Sequence, residues 1–381
     1  MGLILAAFWV ATILLEGRFR KPHLFHVLTL LFFLWNFVSI FWSLDTENTI
    51  QRIKTYSQVF LLMLIYWDIF QKPETLMAGL QAYVYGSYIL VMSAIYNYVK
   101  GNVAVDYEGR YSATGINANE LTLILTIGLP IAMQLFFTAS PGKKVTMLKF
   151  VNLAYVPLAM YSIVLTGSRT LLIAIIPFGL FMAGTQQIRF DRKVLTIAFF
   201  LTSLLVLFPS MPSSVIDRLG TFGKSVGTGD LGGRLNLWRA GIAVLAQHPI
   251  LGVGSGAIIS SIGSAVHNTL ISIAAETGFV GLILFVAILG SVIYQVLGLP
   301  KGTSGMWLAI FTIWIIGILT LSWEFRKLTW IVLSFVIIES GFCEPAVAAQ
   351  ANDTSSGIAR PSRSVTFKPH PMDNMPHKTT S

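Results

Sequence analysis

Three side chains in this sequence are candidates for binding an anion or accepting a proton: Arg169, Arg234 and His267. Each stands where a polar stretch meets a long apolar run. A guanidinium group can hold two phosphate oxygens at once. An imidazole can accept a proton near neutral pH without help from a metal. Together, such groups could bind a phosphate and take up a proton.

Arg169 follows Gly167 and Ser168 in the segment LTGSRTLLIAIIPFG, where an apolar helix is predicted to begin. Free backbone N–H groups and the helix dipole favour an anion at such an end. Ser168 and Arg169 are therefore a candidate phosphate site. The alternative is an interfacial arginine that extends its side chain to the membrane surface.

Arg234 opens the segment RLNLWRAGIAVLAQH, whose apolar residues recur at helical spacing. This pattern predicts a short amphipathic helix lying on the membrane surface. A cation in the first turn of that helix is a second candidate for anion binding. The alternative is an exposed surface charge, which is the better interpretation for Arg239 on the same helix.

His267 stands just before HNTLISIAAETGFVGL becomes continuously apolar, and it is the candidate general base. A hydrogen-bonded interface residue is the alternative. His248 precedes a proline and is better interpreted as a helix stop. Glu276 falls inside a predicted span, where an ion pair would offset its cost, and we favour a structural role for it. Candidates for supporting roles are Arg110, Asn117, Asn119, Ser168, Asn268 and Glu276.

Composition predicts a polytopic membrane protein. Of the 381 residues, 54% are hydrophobic and 11% charged, too few polar groups for a soluble globule. The apolar runs are continuous and do not alternate, which favours helices over a barrel. We expect an all-α fold of about eleven transmembrane helices, within a range of about 10 to 12. Predicted spans lie near residues 2–15, 24–43, 55–70, 75–99, 117–139, 150–166, 170–187, 194–208, 268–297, 305–322 and 329–343.

One large loop, residues 209–267, separates two of these spans and contains the predicted short amphipathic helices. Basic residues gather in the loops that would share one side of the membrane: Arg18, Arg20, Lys21, Lys72, Lys143, Lys144, Lys149, Arg189, Arg192 and Lys193. The positive-inside rule makes that side cytoplasmic. The 209–267 loop and the 100–116 loop are then outside, which in a bacterium is the periplasm. Residues 1–343 form the membrane domain, and the Ser/Thr/Pro-rich residues 344–381 are predicted to be a disordered cytoplasmic tail.

Several other classes of protein are disfavoured. The net charge of +9 is divided among separate loops, so no basic patch for nucleic acid is expected. A single cysteine allows no disulfide framework. The GVGSG segment at residues 252–256 lacks the preceding strand and the following Lys-Ser/Thr of a nucleotide site. No Asp, Glu or His cluster has metal-ligand spacing, so we expect neither a metal nor a cofactor.

Three motifs occur in a fixed order: LTGSRT, then GGRLNLWRAGIAVLAQHPILGVGSG, then HNTLISIAAETGFVGL. This arrangement resembles the O-antigen ligase and O-antigen or exopolysaccharide polymerase superfamily, with its core over residues 110–290. The earlier segment FFLWNFVSIFWSLDTENTIQ also resembles the superfamily's N-terminal half. The resemblance implies a GT-C-like, metal-independent glycosyltransferase of the bacterial inner membrane. Its donor would be a glycan on undecaprenyl pyrophosphate.

Carried onto this sequence, the resemblance implies that Arg169 and Arg234 bind the donor pyrophosphate and that His267 assists the acceptor hydroxyl. The acceptor would be lipid A–core in a ligase or a growing glycan in a polymerase, with membrane lipids around both. We expect a single displacement with inversion, because no outward carboxylate stands beside these residues as a nucleophile.

Ligation onto lipid A–core is the first hypothesis, and polymerisation of lipid-linked repeat units is its closest alternative. A transporter or flippase is less favoured, since such proteins tend to contain paired repeats and charges along a buried path. Here the notable charges gather at the predicted outer face. A non-catalytic assembly partner is the third alternative, and substitution of the three candidate residues would test it.

Overall fold

The computed structural model describes residues 2–103, 109–138, 143–184, 202, 212–220 and 234–355. Within these residues every regular element is helical, which confirms the all-α prediction. The chain has two units, residues 1–343 and residues 344–381. The helices are α1 (Gly2–Glu16), α2 (Leu24–Val38), α3 (Thr46–Ile69), α4 (Pro73–Val99), α5 (Ala118–Thr138), α6 (Lys143–Leu165), α7 (Thr170–Gly184), α8 (Ser213–Gly220), α9 (Arg234–Gln247), α10 (Ile258–Ile262), α11 (Thr269–Gly298), α12 (Lys301–Ile318) and α13 (Lys327–Ser355).

Six segments of the described chain are long and apolar enough to cross a membrane: Leu24–Phe41, Pro73–Val99, Ala118–Thr138, Met147–Leu165, Thr269–Gly298 and Lys301–Ile318. Two shorter apolar segments, Ala6–Leu15 and Ile173–Gly184, accompany them. Large apolar side chains such as Ile89 and Leu297 are exposed on these helices, as expected for residues that face lipid. The protein is therefore a polytopic membrane protein, and the count of about eleven spans stays a prediction.

Several predicted boundaries differ from the observed ones. The third helix begins at Thr46 instead of near residue 55, because Asp45 caps it by accepting a hydrogen bond from the Asn48 N–H (3.0 Å). Helix α13 continues as far as Ser355, beyond residue 344, where the predicted tail begins. Its segment AVAAQA is mostly alanine, the strongest helix former. The predicted span at 194–208 lies almost wholly outside the described residues, as do residues 221–233 of the large loop and 356–381 of the tail.

Helix α5 is at the centre of the helix packing, and its residues are buried along most of its length. It packs against α4, α6, α7 and α12. The approach to α6 is close, because a Cβ atom at Gly128 would lie 2.2 Å from the Tyr155 hydroxyl oxygen. That hydroxyl donates a hydrogen bond to the Leu125 carbonyl (3.0 Å). On another side of the bundle, α11 packs against α2, α9 and α12.

Helix α11 is broken at Gly278, which has a φ of 66° and a ψ of −170°. A break inside an apolar helix leaves backbone groups that need other partners. Four hydrogen bonds supply them: Val253 N–H to Ala275 O (3.0 Å), Gly254 N–H to Glu276 O (2.8 Å), Trp35 indole N–H to Thr277 O (2.9 Å) and Phe279 N–H to Pro249 O (2.8 Å). The loop at 249–254 therefore completes the backbone hydrogen bonding of α11.

The same loop is held from its other side by the segment that joins α2 to α3. Ser255 is the centre of these contacts: its hydroxyl donates to Asn36 Oδ1 (2.7 Å), and its N–H donates to the Ser39 hydroxyl (3.0 Å). Its carbonyl accepts a hydrogen bond from the Thr49 hydroxyl (2.7 Å). The GVGSG segment thus has a packing role between the N-terminal helices and α11.

Candidate functional site

His267 lies between α10 and α11 and is half-buried. It is the one non-glycine residue with a positive φ (55°) among the described residues. The next residue, Asn268, caps α11, because its Oδ1 accepts hydrogen bonds from the N–H groups of Leu270 and Ile271 (both 3.1 Å). A left-handed backbone at a histidine is uncommon and strained, and such strain clusters at functional sites. The cap of α11 fixes the position from which the imidazole projects.

A cavity of about 250 Å³ opens beside this residue, and we call it the His267 cavity. Its walls come from α3, the start of α5, the 258–267 segment, α11 and the turn that follows α12. The lining residues are Arg52, Asn117, Asn119, Glu120, Ile258, Ile259, Ala265, His267, Ser272, Glu276, Leu321, Ser322, Phe325 and Arg326. Four residues that the sequence predicts for the site, Asn117, Asn119, His267 and Glu276, are therefore together here.

Arg234 is the first residue of α9, which packs against α11. The contact between these helices is close, because a Cβ atom at Gly241 would lie 2.8 Å from a methyl group of Ile271. Burial, and secondly the positive charge of Arg234, lower the pKa of His267 below its ordinary value. The imidazole is therefore neutral at pH 7, as a general base must be.

The turn that carries Ser168 and Arg169 is tied to the cavity through Asn119. Asn119 Oδ1 accepts hydrogen bonds from the Ser168 hydroxyl (3.0 Å) and from Arg110 Nη2 (2.9 Å). Arg110 is buried, and its Nε donates to the Thr166 carbonyl (2.6 Å). Arg110 thus holds the turn in place. Arg169 lies one residue beyond Ser168 and does not itself line the His267 cavity.

A buried ion cluster, Arg52 with Glu276 and Glu324, lies against the cavity and is not anticipated from the sequence. Arg52 Nη1 donates to Glu324 Oε1 (2.8 Å), and Arg52 Nη2 lies 3.7 Å from Glu276 Oε1. The guanidinium also stacks on the Phe325 ring, 3.8 Å from its centroid. Glu276 Oε2 accepts a hydrogen bond from the Gly256 N–H (2.8 Å). The cluster fixes the orientation of Glu276.

A second ion pair, between Glu120 and Arg326, lies among the cavity residues. The Arg326 side chain is 45% exposed, against 11% for Arg52. Solvent therefore screens this pair more than the cluster around Arg52. It joins the start of α5 to the turn between α12 and α13.

Comparison with known proteins connects this site to a family. Residues 154–286 match a family model described as O-antigen ligase. A second match is the exopolysaccharide production protein ExoQ of Rhizobium meliloti (strain 1021), 28% identical over 278 residues. These findings support a relationship of the chain to the O-antigen ligase/polymerase superfamily. The superfamily resemblance carried by the three motifs is thereby confirmed. The alignment with the Rhizobium meliloti protein covers 66% of this chain and 61% of that relative.

The ligase-family match covers only part of the described site. It includes Arg169, Arg234, His267 and Glu276, whereas Arg52 lies well before its first residue. Glu324 of the ion cluster and the cavity residue Arg326 lie beyond its end. The cavity residues Asn117 and Asn119 lie before its start. The site is thus built from the family's matched core together with helices on both sides of it.

Proposed function

We propose that this protein transfers a glycan from undecaprenyl pyrophosphate to the hydroxyl of an acceptor sugar, at the outer face of the bacterial inner membrane. As an O-antigen ligase, it would use lipid A–core as the acceptor. The observation that carries this proposal is the position of His267 in the lining of a cavity that also contains Asn117, Asn119 and Glu276, with Arg234 close enough for its charge to lower the pKa of the imidazole. The similarity of residues 154–286 to the O-antigen ligase family supports it.

In the proposed reaction, His267 accepts the proton of the acceptor hydroxyl as its oxygen attacks the anomeric carbon of the donor. The bond between that carbon and the pyrophosphate oxygen breaks, and its electron pair stays on the phosphate. Arg234 and Arg169 stabilise the charge that develops there. Removing one preorganised donor of this kind costs about 3–4 kcal/mol in other enzymes. The pyrophosphate leaves on its lipid anchor.

The proposal includes inversion at the anomeric carbon without a metal or a cofactor. Guanidinium groups take the place that a divalent cation holds in many phosphate-releasing enzymes. A single displacement exchanges one anomeric configuration for the other. Comparing the anomeric configuration of donor and product by NMR tests this point, and retention, or an isolated glycosyl-enzyme, would contradict it.

Transfer assays with purified variants in lipid vesicles test the proposal as a whole. His267→Ala should lower the rate by about a hundredfold to ten-thousandfold, because it removes the general base. Arg234→Ala should lower it by about a hundredfold to a thousandfold. Arg239→Ala is the matched control, since Arg239 is exposed on the same helix, and it should leave transfer unchanged. Normal transfer by His267→Ala, Arg234→Ala and Arg169→Ala would instead indicate a non-catalytic assembly role.

Polymerisation of lipid-linked repeat units is the second candidate function. The name of the Rhizobium meliloti relative, exopolysaccharide production protein ExoQ, favours it. A strain that lacks the protein separates the two functions on a gel of lipid-linked and surface glycans. Loss of a ligase leaves long lipid-linked polymer unattached, whereas loss of a polymerase leaves single repeat units.

A further inference from the structure

The charged residues around the His267 cavity do not suit the binding of a pyrophosphate group. The carboxylates of Glu120 and Glu276 line it, and Glu324 pairs with its lining. Against these three carboxylates stand two guanidinium groups, those of Arg52 and Arg326. Both guanidinium groups are already paired with carboxylates, so a pyrophosphate entering this space would have to compete for them. The cavity therefore suits a neutral ligand.

Glu276 offers such a ligand an unused hydrogen-bond acceptor. Among the described residues its Oε1 has no hydrogen-bond partner, and its cationic neighbour Arg52 Nη2 is 3.7 Å away. The residue is only 2% exposed and lines the cavity. A buried carboxylate oxygen without a donor is costly, and a ligand hydroxyl would remove that cost. In the same described part of the chain, the buried Ser322 Oγ also has no hydrogen-bond partner.

The other polar residues that line the cavity, and its size, limit the kind of ligand that it can bind. Asn117 and Asn119 add side-chain amides, and Ser272 adds a hydroxyl. Carboxylates, amides and hydroxyls together can bind a ring that carries several hydroxyl groups. A cavity of about 250 Å³ is smaller than the roughly 300–1,000 Å³ of pockets that hold drug-sized ligands. One sugar ring fits this description better than a lipid tail does.

We propose that the His267 cavity binds the terminal sugar of the acceptor, with Glu276 Oε1 accepting a hydrogen bond from one of its hydroxyl groups. The anionic donor then occupies the Arg234 side of His267. Arg52 is a positioning residue, because it holds Glu276 through the ion cluster and does not itself need to touch the sugar. This inference rests on the proposed function. It places the donor on one side of His267, the proposed general base, and the acceptor on the other.

The test is a two-substrate rate measurement with the full-length protein in lipid vesicles. Undecaprenyl pyrophosphate-linked glycan and lipid A–core are varied in turn. Glu276→Gln keeps the shape of the side chain but removes the charged acceptor. The KM for lipid A–core should rise by about tenfold to a hundredfold, the value of one charge-assisted hydrogen bond. The KM for the donor and kcat should stay within about twofold of the wild-type values.

Glu339→Gln is the matched control. Glu339 is another carboxylate within the helices, where it accepts a hydrogen bond from the Trp307 indole (2.6 Å), and it does not line the cavity. This variant should leave the acceptor KM unchanged. If Glu276→Gln does not fold, Ser322→Ala decides the matter, since it should raise the acceptor KM by about threefold or more.

The possible failures can be told apart. A rise in the donor KM, or an equal loss of kcat at all acceptor concentrations, would place Glu276 in donor binding or in folding and overturn the inference. An unchanged acceptor KM in both Glu276→Gln and Ser322→Ala would also overturn it. If the wild-type protein transfers no glycan to lipid A–core or to a lipid-linked glycan, the proposed function itself is wrong, and the inference falls with it.

Discussion

At the scale of single residues, the electrostatics of His267 predict how activity depends on pH. Its pKa is lowered first by burial and then by the positive charge of Arg234. A general base works when neutral, so kcat/KM should fall only as the pH drops through this lowered pKa. Arg234→Gln removes one of the two causes. The midpoint of the acid limb should then move to higher pH, although burial keeps it below the ordinary value of 6.5.

Arg234→Lys is the control for this prediction, because it keeps the positive charge but loses the planar fork of the guanidinium. Its rate should fall, since the pyrophosphate is held less well, yet the midpoint of the acid limb should stay near the wild-type position. Measuring kcat/KM across pH for the three proteins separates charge from geometry. An acid limb that does not move in Arg234→Gln would show that the arginine does not control the base.

The residues of the site differ in how far the sequence could reveal them. His267 and Arg234 stand in recognisable motifs at the ends of apolar runs, where the bilayer leaves few positions for polar groups. The pairing of Arg52 with Glu324 has no such local signal, because the two are 272 positions apart. The sequence gives one indication of this pair. Two polar segments that interrupt the apolar runs, DTENTIQRIK and SWEFRK, each contain charged residues. The helix packing alone decides that they meet.

At the scale of elements, the break in α11 predicts a large difference between two glycines of the same helix. Gly278 has a φ of 66°, and a Cβ atom there would lie 2.0 Å from the Ile250 carbonyl oxygen. Gly278→Ala should therefore lower the free energy of unfolding by about 1–3 kcal/mol through backbone strain, with the steric clash in addition. Thermal unfolding in detergent measures the loss. Activity should fall as well, because the 249–256 loop also holds Glu276 through the Gly256 N–H.

Gly290→Ala provides the matched comparison within α11. No atom lies within 4 Å of a Cβ atom at Gly290. Alanine forms helix better than glycine by about 1 kcal/mol, so this variant should unfold at the same or a slightly higher temperature. Equal stability of the two variants would mean that the break at Gly278 does not exist in the membrane.

The sequence predicts α11 as one uninterrupted span at 268–297, close to the observed Thr269–Gly298. The break itself was not predictable, because a single glycine in an apolar run is usually tolerated within a helix. What allows the break is a set of donors from elsewhere, among them the Trp35 indole and the N–H groups of Val253 and Gly254. Local propensity contains no information about such distant partners.

At the scale of the whole molecule, long apolar runs reveal where helices exist but not which helices touch. In a bilayer the side facing lipid and the side facing protein are both apolar, so the pattern does not mark the contact face. Helix α5 is buried along most of its length, whereas α11, which is even more apolar, has exposed residues such as Tyr294 and Leu297. For this reason the sequence could not predict that α2 packs against α11, which is distant in the chain.

The proposed orientation in the membrane can be tested with the two ends of one helix. Helix α4 (Pro73–Val99) is about 40 Å long, which exceeds a hydrocarbon core of about 30 Å. Lys72 and Lys100 flank it, and both are exposed. With the single native cysteine removed by Cys343→Ala, Lys100→Cys should react with a membrane-impermeant maleimide added to spheroplasts. Lys72→Cys should react only after the membrane is opened.

This labelling pattern is expected because the distribution of basic residues places the start of α4 on the cytoplasmic side and its end on the periplasmic side. The His267 cavity must open to the periplasm if a lipid-linked glycan is to reach it there, so the end of α4 outside is a requirement of the proposed function. Labelling of Lys72→Cys without opening the membrane, with protection of Lys100→Cys, would put the cavity on the cytoplasmic side. The donor would then have to be used before it crosses the membrane, and ligation onto lipid A–core at the outer face would be excluded.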